Sequence, residues 1–220
     1  NQLYSRVYSR GSRLRPQIIK GIEVGKMVQI SQVSTLRSAI IPRTSAASQI
    51  SLILTGTVFL TLMAQISFPI PGSPVPFTGQ TLGVLLLGTA FGAGLGFSTM
   101  AFYLLMGMAG APIFASGSSG LEKVVGATGG YLVGMLIASL VVGALAGRKW
   151  DQKIRTVIPT MIIGNAIIFT FGLIWLHQYT GENWQWTFEK GLAPFVLGEL
   201  IKIAIASTAL PAVWKFVSKR

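Results

Sequence analysis

Apolar runs alternate with short segments rich in proline, glycine or charge along this chain. Residues 50–68 hold no charge at all, and a bilayer span takes roughly 20 mostly apolar residues. The pattern predicts a helix there and five more, over about 78–92, 97–110, 128–146, 157–177 and 193–216. Between the first two stand Pro69, Pro71, Pro74 and Pro76. Proline removes a backbone donor and breaks helices, so 69–77 is expected to be extended. That segment is also apolar, and non-helical backbone at membrane depth is tolerated only where protein or a cavity covers it. A glycine-rich turn is expected near 92–96, and loops over 111–127, 148–155 and 178–192. Trp184 and Trp186 in the last loop suit the headgroup level. Small residues four apart (Gly88, Gly92 and Gly96; Gly126, Gly130 and Gly134; Gly143 and Gly147) suit close helix packing in lipid. The expected fold is an all-α integral membrane protein, a bundle of six transmembrane helices over residues 48–220.

Composition agrees with this. Only 11% of residues are charged, against about 25% in soluble domains. The net charge of +12 could suggest nucleic acid, but its placement argues against such a partner. Residues 1–47 carry eight basic side chains against one acid. They lack the apolar core of a secretory signal and are expected to be a poorly ordered leader: a transit-like segment, a tag or a cytoplasmic extension lying on anionic lipid. Arg148, Lys149, Lys153 and Arg155 cluster in one loop, and Lys215, Lys219 and Arg220 at the end. The other connections are neutral or slightly acidic. By the positive-inside rule both termini and the 148–155 loop face the cytoplasm.

Some chemistry is excluded. With no cysteine and a single histidine, His177, there is no disulfide and no thiolate or multi-histidine metal site, and that histidine has no obvious partners for a nucleophile–histidine–acid set. No Gly-x-x-x-x-Gly-Lys-Ser/Thr phosphate loop occurs. No enzyme activity and no cofactor is expected. Any uphill transport must draw on a partner or an ion gradient.

Almost every charge sits at a predicted membrane edge, and the exceptions are Glu199 and Lys202 in the sixth span. Ionisable groups there are costly and mark sites or pathways. Three residues apart, they share a helix face. Glu199 lies roughly 9 Å inside the outer end of the sixth helix at 1.5 Å per residue. Two readings stand: a mutually neutralising pair that fixes packing, or a ligand site. As a site, the carboxylate accepts N–H donors and the ammonium attracts an anion, which suits a ligand with an amide-like head and a negative charge. Further polar candidates are Gln80, Ser116, Ser118, Tyr131 and Asn165. Tyr103 is expected to pack and His177 to sit at the interface.

Four ordered motifs bring in a family. The run PFTGQTLGVLL from Pro76 to Leu86 resembles the second-helix motif of BioY biotin transporters. YLLMGMAGAPIFA from Tyr103 to Ala115, GATGGYLVG from Gly126 to Gly134 and GELIK from Gly198 to Lys202 resemble its other signatures. The third motif adds Gly129 to the candidates. The resemblance spans about residues 50–217. It implies a six-helix substrate-capture subunit of an energy-coupling factor transporter in the cell membrane. Its implied partners are biotin, membrane lipid, a membrane coupling subunit and two ABC-type ATPases, although some members are reported to act alone. For biotin as the ligand, charge alone assigns the ureido head to Glu199 and the carboxylate to Lys202 or nearby backbone amides. Ala47, Ser51 and Thr55, four apart, resemble the stripe by which such subunits dock on the coupling protein. The chain departs from the family in carrying Glu199 where aspartate is usual, Ala127 where proline is usual, and no basic residue in 91–96. The alternatives are a subunit for another vitamin, a solitary gradient-driven biotin carrier, and a membrane scaffold with a structural ion pair.

Overall fold

The computed structural model describes residues 35–41 and 45–218. Most of the expected leader, 1–34 and 42–44, lies outside the described residues. A short helix, α1 (Leu36–Ile40), is capped by the Thr35 hydroxyl accepting from the Ser38 N–H. It buries Leu36.

Helix α2 (Ala46–Gln65) starts on a Ser45 cap, whose side chain accepts from the Ser48 N–H. It stops three residues before the expected end. Residues 67–68 instead form a strand, β1 (Ser67–Phe68), paired antiparallel with β2 (Phe77–Thr78) in the register Ser67 with Thr78 and Phe68 with Phe77. The expected extended loop is thus the tip of a small hairpin. Its four prolines cannot supply ladder donors, so pairing is confined to its base. Ser73 holds the tip: its hydroxyl accepts from the Val75 N–H and donates to the Lys190 carbonyl at 2.8 Å.

Helices α3 (Gln80–Phe91) and α4 (Ala93–Met108) are joined by one residue, Gly92, at φ +83°. The expected turn over 92–96 is corrected accordingly. A single glycine in the left-handed region reverses the chain, and Gly94 and Gly96 continue as helix. The 111–127 loop contains a 3₁₀ turn at Ala115–Gly117 and a short helix, α5 (Leu121–Val125). Helix α6 (Gly129–Gly147) agrees closely with expectation. Helix α7 (Ile154–Thr180) extends three residues beyond it at each end. The expected loop over 178–192 is corrected too: it holds α8 (Trp184–Gly191), capped by Asn183 accepting from the Trp186 N–H. A 3₁₀ turn, Ala193–Phe195, leads into α9 (Val196–Val217).

The core lies between α3, α4, α6 and α7, around Val84, Leu85, Met100, Tyr103, Val142, Met161 and Ile168. Glycine lets α6 and α7 approach closely. A Cβ at Gly134 would stand 2.8 Å from the Ile168 Cα, which is backbone and cannot yield. The outward face of α2 is an apolar stripe, with Ile50, Leu54, Val58 and Leu62 each about half exposed or more. That is the surface a lipid-facing helix presents.

Among the described residues, four helical stretches are long and apolar enough to cross a membrane: Ala46–Gln65, Gly129–Gly147, Ile154–Thr180 and Trp184–Val217. Gln80–Phe91 and Ala93–Met108 are apolar but shorter. At 1.5 Å per residue they rise roughly 18 and 24 Å, less than a hydrocarbon core of about 30 Å.

Candidate ligand-binding site

The site begins with glycine. Gly198, at the start of α9, has no Cβ, and one placed there would run into the Phe77 ring. The β2 end of the hairpin therefore lies directly on α9, and the Phe77 ring stacks on Phe195, centroids 6.4 Å apart. This close seating brings Thr78 and Thr81 against Glu199 and Lys202, which are both buried.

The four groups form one network. Lys202 Nζ donates to Glu199 Oε1 at 2.6 Å, to the Thr78 carbonyl at 2.6 Å and to Thr81 Oγ1 at 2.8 Å. The Thr81 hydroxyl in turn donates to the same Glu199 oxygen at 2.8 Å. The ammonium also stands 4.1 Å from the Phe77 ring centroid. An ammonium has three N–H bonds, and each has an acceptor here. Glu199 is in the opposite condition. Its Oε2 is buried without a hydrogen-bond partner, a costly state for a carboxylate oxygen.

Glu199 forms part of the wall of a cavity of about 620 Å³, within the range of small-molecule sites. Hydrophobic side chains make much of the wall: Val75 from the hairpin tip, Phe114 from the second loop, Leu132 and Met135 from α6, Phe169 from α7 and Phe195 before α9. Gln80, Ser116, Ser118 and Tyr131 also line it. Gln80 Nε2 donates to the Tyr103 hydroxyl at 2.8 Å, and that hydroxyl donates to the Ile113 carbonyl. The Tyr131 hydroxyl donates to the Gly191 carbonyl at 2.8 Å, tying α6 to α8. Ser116 sits at φ +56°, its hydroxyl 3.1 Å from that of Ser67. The Ser118 hydroxyl donates to the Ala115 carbonyl. The wall comes from the start of α6 and the end of α7, so the cavity lies at the end of the bundle away from the basic 148–155 turn.

Three of the ligand-binding candidates, and the three docking candidates, fall elsewhere. Lys202 and Asn165 border a narrow crevice on the other side of Glu199, with no room for water, and Asn165 Oδ1 is buried without a partner. Lys202 is not among the cavity's wall residues, and its donors go to the Thr78 carbonyl, Thr81 and Glu199. Gly129 is absent from the cavity wall; a Cβ there would collide with the Val124 carbonyl, so it seats α6 against α5. Ala47, Ser51 and Thr55 are exposed on α2, the Thr55 hydroxyl donating to the Ser51 carbonyl. His177 stacks on Trp184 with centroids 4.1 Å apart.

The BioY family sequence model matches residues 33–219. The chain belongs to the BioY family. A relative from Pyrococcus horikoshii, named a probable biotin transporter BioY, is 34% identical over 73% of this chain and 92% of its own. The biotin transporter BioY2 of Lactococcus lactis is 34% identical over 72% of this chain and 85% of its own. Thermotoga maritima BioY, also named a biotin transporter, is 34% identical over 69% and 86%. The fold is that of a crystal structure of the S-component for biotin from an ECF-type ABC transporter. The TM-score is 0.69 at 20% identity, over 79% of this chain and 95% of that one.

Several wall residues of the cavity lie outside the sequence candidates. Thr78 and Thr81 carried a usable signal, lying three apart at a helix start beside Gln80. Phe169 and Phe195 carried none, because aromatic residues in apolar helices look like ordinary packing. Glu122, Lys123 and Tyr179 also line the cavity.

Proposed function

We propose that this chain captures biotin from outside the cell and serves as the substrate-specific subunit of an energy-coupling factor transporter. The observation that carries the reading is Glu199 Oε2, an unpartnered buried acceptor on a carboxylate that walls a cavity of ligand size. A cyclic urea offers N–H donors, and a hydrogen bond to a charged acceptor contributes about 1.5–3 kcal/mol. Lys202 and Thr81 hold the carboxylate through its other oxygen, so Lys202 positions Glu199 and offsets its charge. The hydrophobic wall suits the sulfur-containing ring and alkyl chain. Gln80, Ser116, Ser118 and Tyr131 add polar contacts along the wall, while Asn165 and Gly129 support the helices behind it. The names of the relatives, biotin transporters, support the substrate.

In this reading six helices span the plasma membrane: α2, α3, α4, α6, α7 and α9. The short α3 and α4 complete their crossings with the hairpin that precedes α3 and the irregular segment that follows α4. Both termini face the cytoplasm and the cavity opens outward, which the basic 148–155 turn at the far end supports. The chain itself acts as a binding subunit. A membrane coupling protein and two ATPases supply the energy, and the exposed Ala47, Ser51 and Thr55 stripe is the docking face.

The test is calorimetric titration of the purified protein in detergent with biotin, desthiobiotin and thiamine. Tight, selective binding of biotin is expected, and Glu199→Ala should weaken it about a hundredfold, since each factor of ten is about 1.4 kcal/mol. Wild-type affinity in that variant would refute the assignment of Glu199.

A further inference from the structure

The head of the ligand has Glu199, but Lys202 cannot take the other end. All three of its N–H bonds are engaged, and it does not line the cavity. A ligand with an acidic tail still needs a cation within reach. Among the described residues that wall the cavity, one is a lysine or arginine: Lys123. It sits in α5 on the loop before α6, whereas Glu199 sits in the first turn of α9. It is exposed and in no ion pair with a described residue. Glu122 beside it is also exposed and also lines the cavity.

The placement follows from solvation. A carboxylate in a dry pocket loses its hydration. Left at the mouth, it stays hydrated and still feels the attraction of a nearby ammonium. The head, rich in donors and uncharged, is the end that tolerates burial. We infer that Lys123 captures the carboxylate tail of the ligand at the cavity mouth, and that Glu122 opposes it, so that this pair reads the charge of the tail. The inference rests on the biotin reading above. It has two signs. Losing Lys123 removes attraction for an anionic tail, while losing Glu122 removes repulsion. Neither change touches a ligand whose tail is neutral.

The experiment titrates biotin and its uncharged carboxamide into wild-type protein, Lys123→Gln and Glu122→Gln at low salt. Lys123→Gln should weaken biotin about two- to fivefold and Glu122→Gln should tighten it about twofold, the range of an exposed charge pair. Both variants should bind the carboxamide as wild type does, which also shows that they are folded. Added salt should shrink both effects. Biotin binding unchanged in Lys123→Gln, or acid and carboxamide weakened alike, would overturn this inference alone. Wild-type protein that binds neither ligand would overturn the biotin reading and this inference with it.

Discussion

The Lys202 ammonium has three donors and three acceptors within 2.8 Å, and one of them is the carboxylate of Glu199. Removing one member of a buried pair leaves the other charge uncompensated, at a cost of about 3–5 kcal/mol. Lys202→Met should therefore lower the unfolding temperature in detergent sharply, and Glu199→Gln with Lys202→Met should recover part of the loss. A single variant as stable as wild type would contradict the pairing. The pair itself was legible in the sequence, because two charges in an apolar helix stand out. Which partner lines the cavity was not, since that depends on the Thr78 carbonyl, a backbone group that no side-chain pattern reports. Lys123 was hidden for another reason. Beside Glu122 it looks like an ordinary neutral loop pair, and only the cavity gives it a role.

At the scale of elements, the long apolar helices were read well and the short amphipathic ones were not. Helix α8 carries two tryptophans amid polar residues, Asn183, Gln185, Glu189 and Lys190, and lacks the long apolar run by which the others declare themselves. The α3–α4 reversal is narrower than its sequence suggests: five residues with three glycines look like a loop, although Gly92 alone turns the chain. The contact between the α6–α7 turn and α9 was also invisible. There Asp151, fully buried, accepts from Trp214 Nε1 at 2.6 Å through Oδ2, while its Oδ1 is unpartnered. Burial pushes its carboxyl up to about 6, against the opposing pull of the Trp214 hydrogen bond. A raised folded value means that the protonated form suits the fold. Its stabilising effect is full below the unfolded value near 4 and is lost as pH rises through about 6. The unfolding temperature of wild type relative to Asp151→Asn should thus fall between about pH 4 and pH 6.5. A constant difference across that range would show that Asp151 does not titrate there.

For the whole molecule, sequence alone implied the membrane class, because charge is scarce and sits at the ends of apolar runs. The number of crossings is less direct, since α3 and α4 are shorter than a bilayer is thick. The absence of cysteine makes orientation easy to test. A single cysteine at Glu182, just beyond α7, should react with an impermeant maleimide on intact cells, and one at Ser218, beyond α9, only after permeabilisation. The reverse pattern would place the cavity inside. The most direct test of the account is an experimental structure with biotin bound. It predicts a ureido nitrogen about 2.7–3.2 Å from Glu199 Oε2, the rings against Phe169 and Phe195, and the tail toward Lys123. Biotin bound with its carboxylate on Lys202, or outside this cavity, would contradict it.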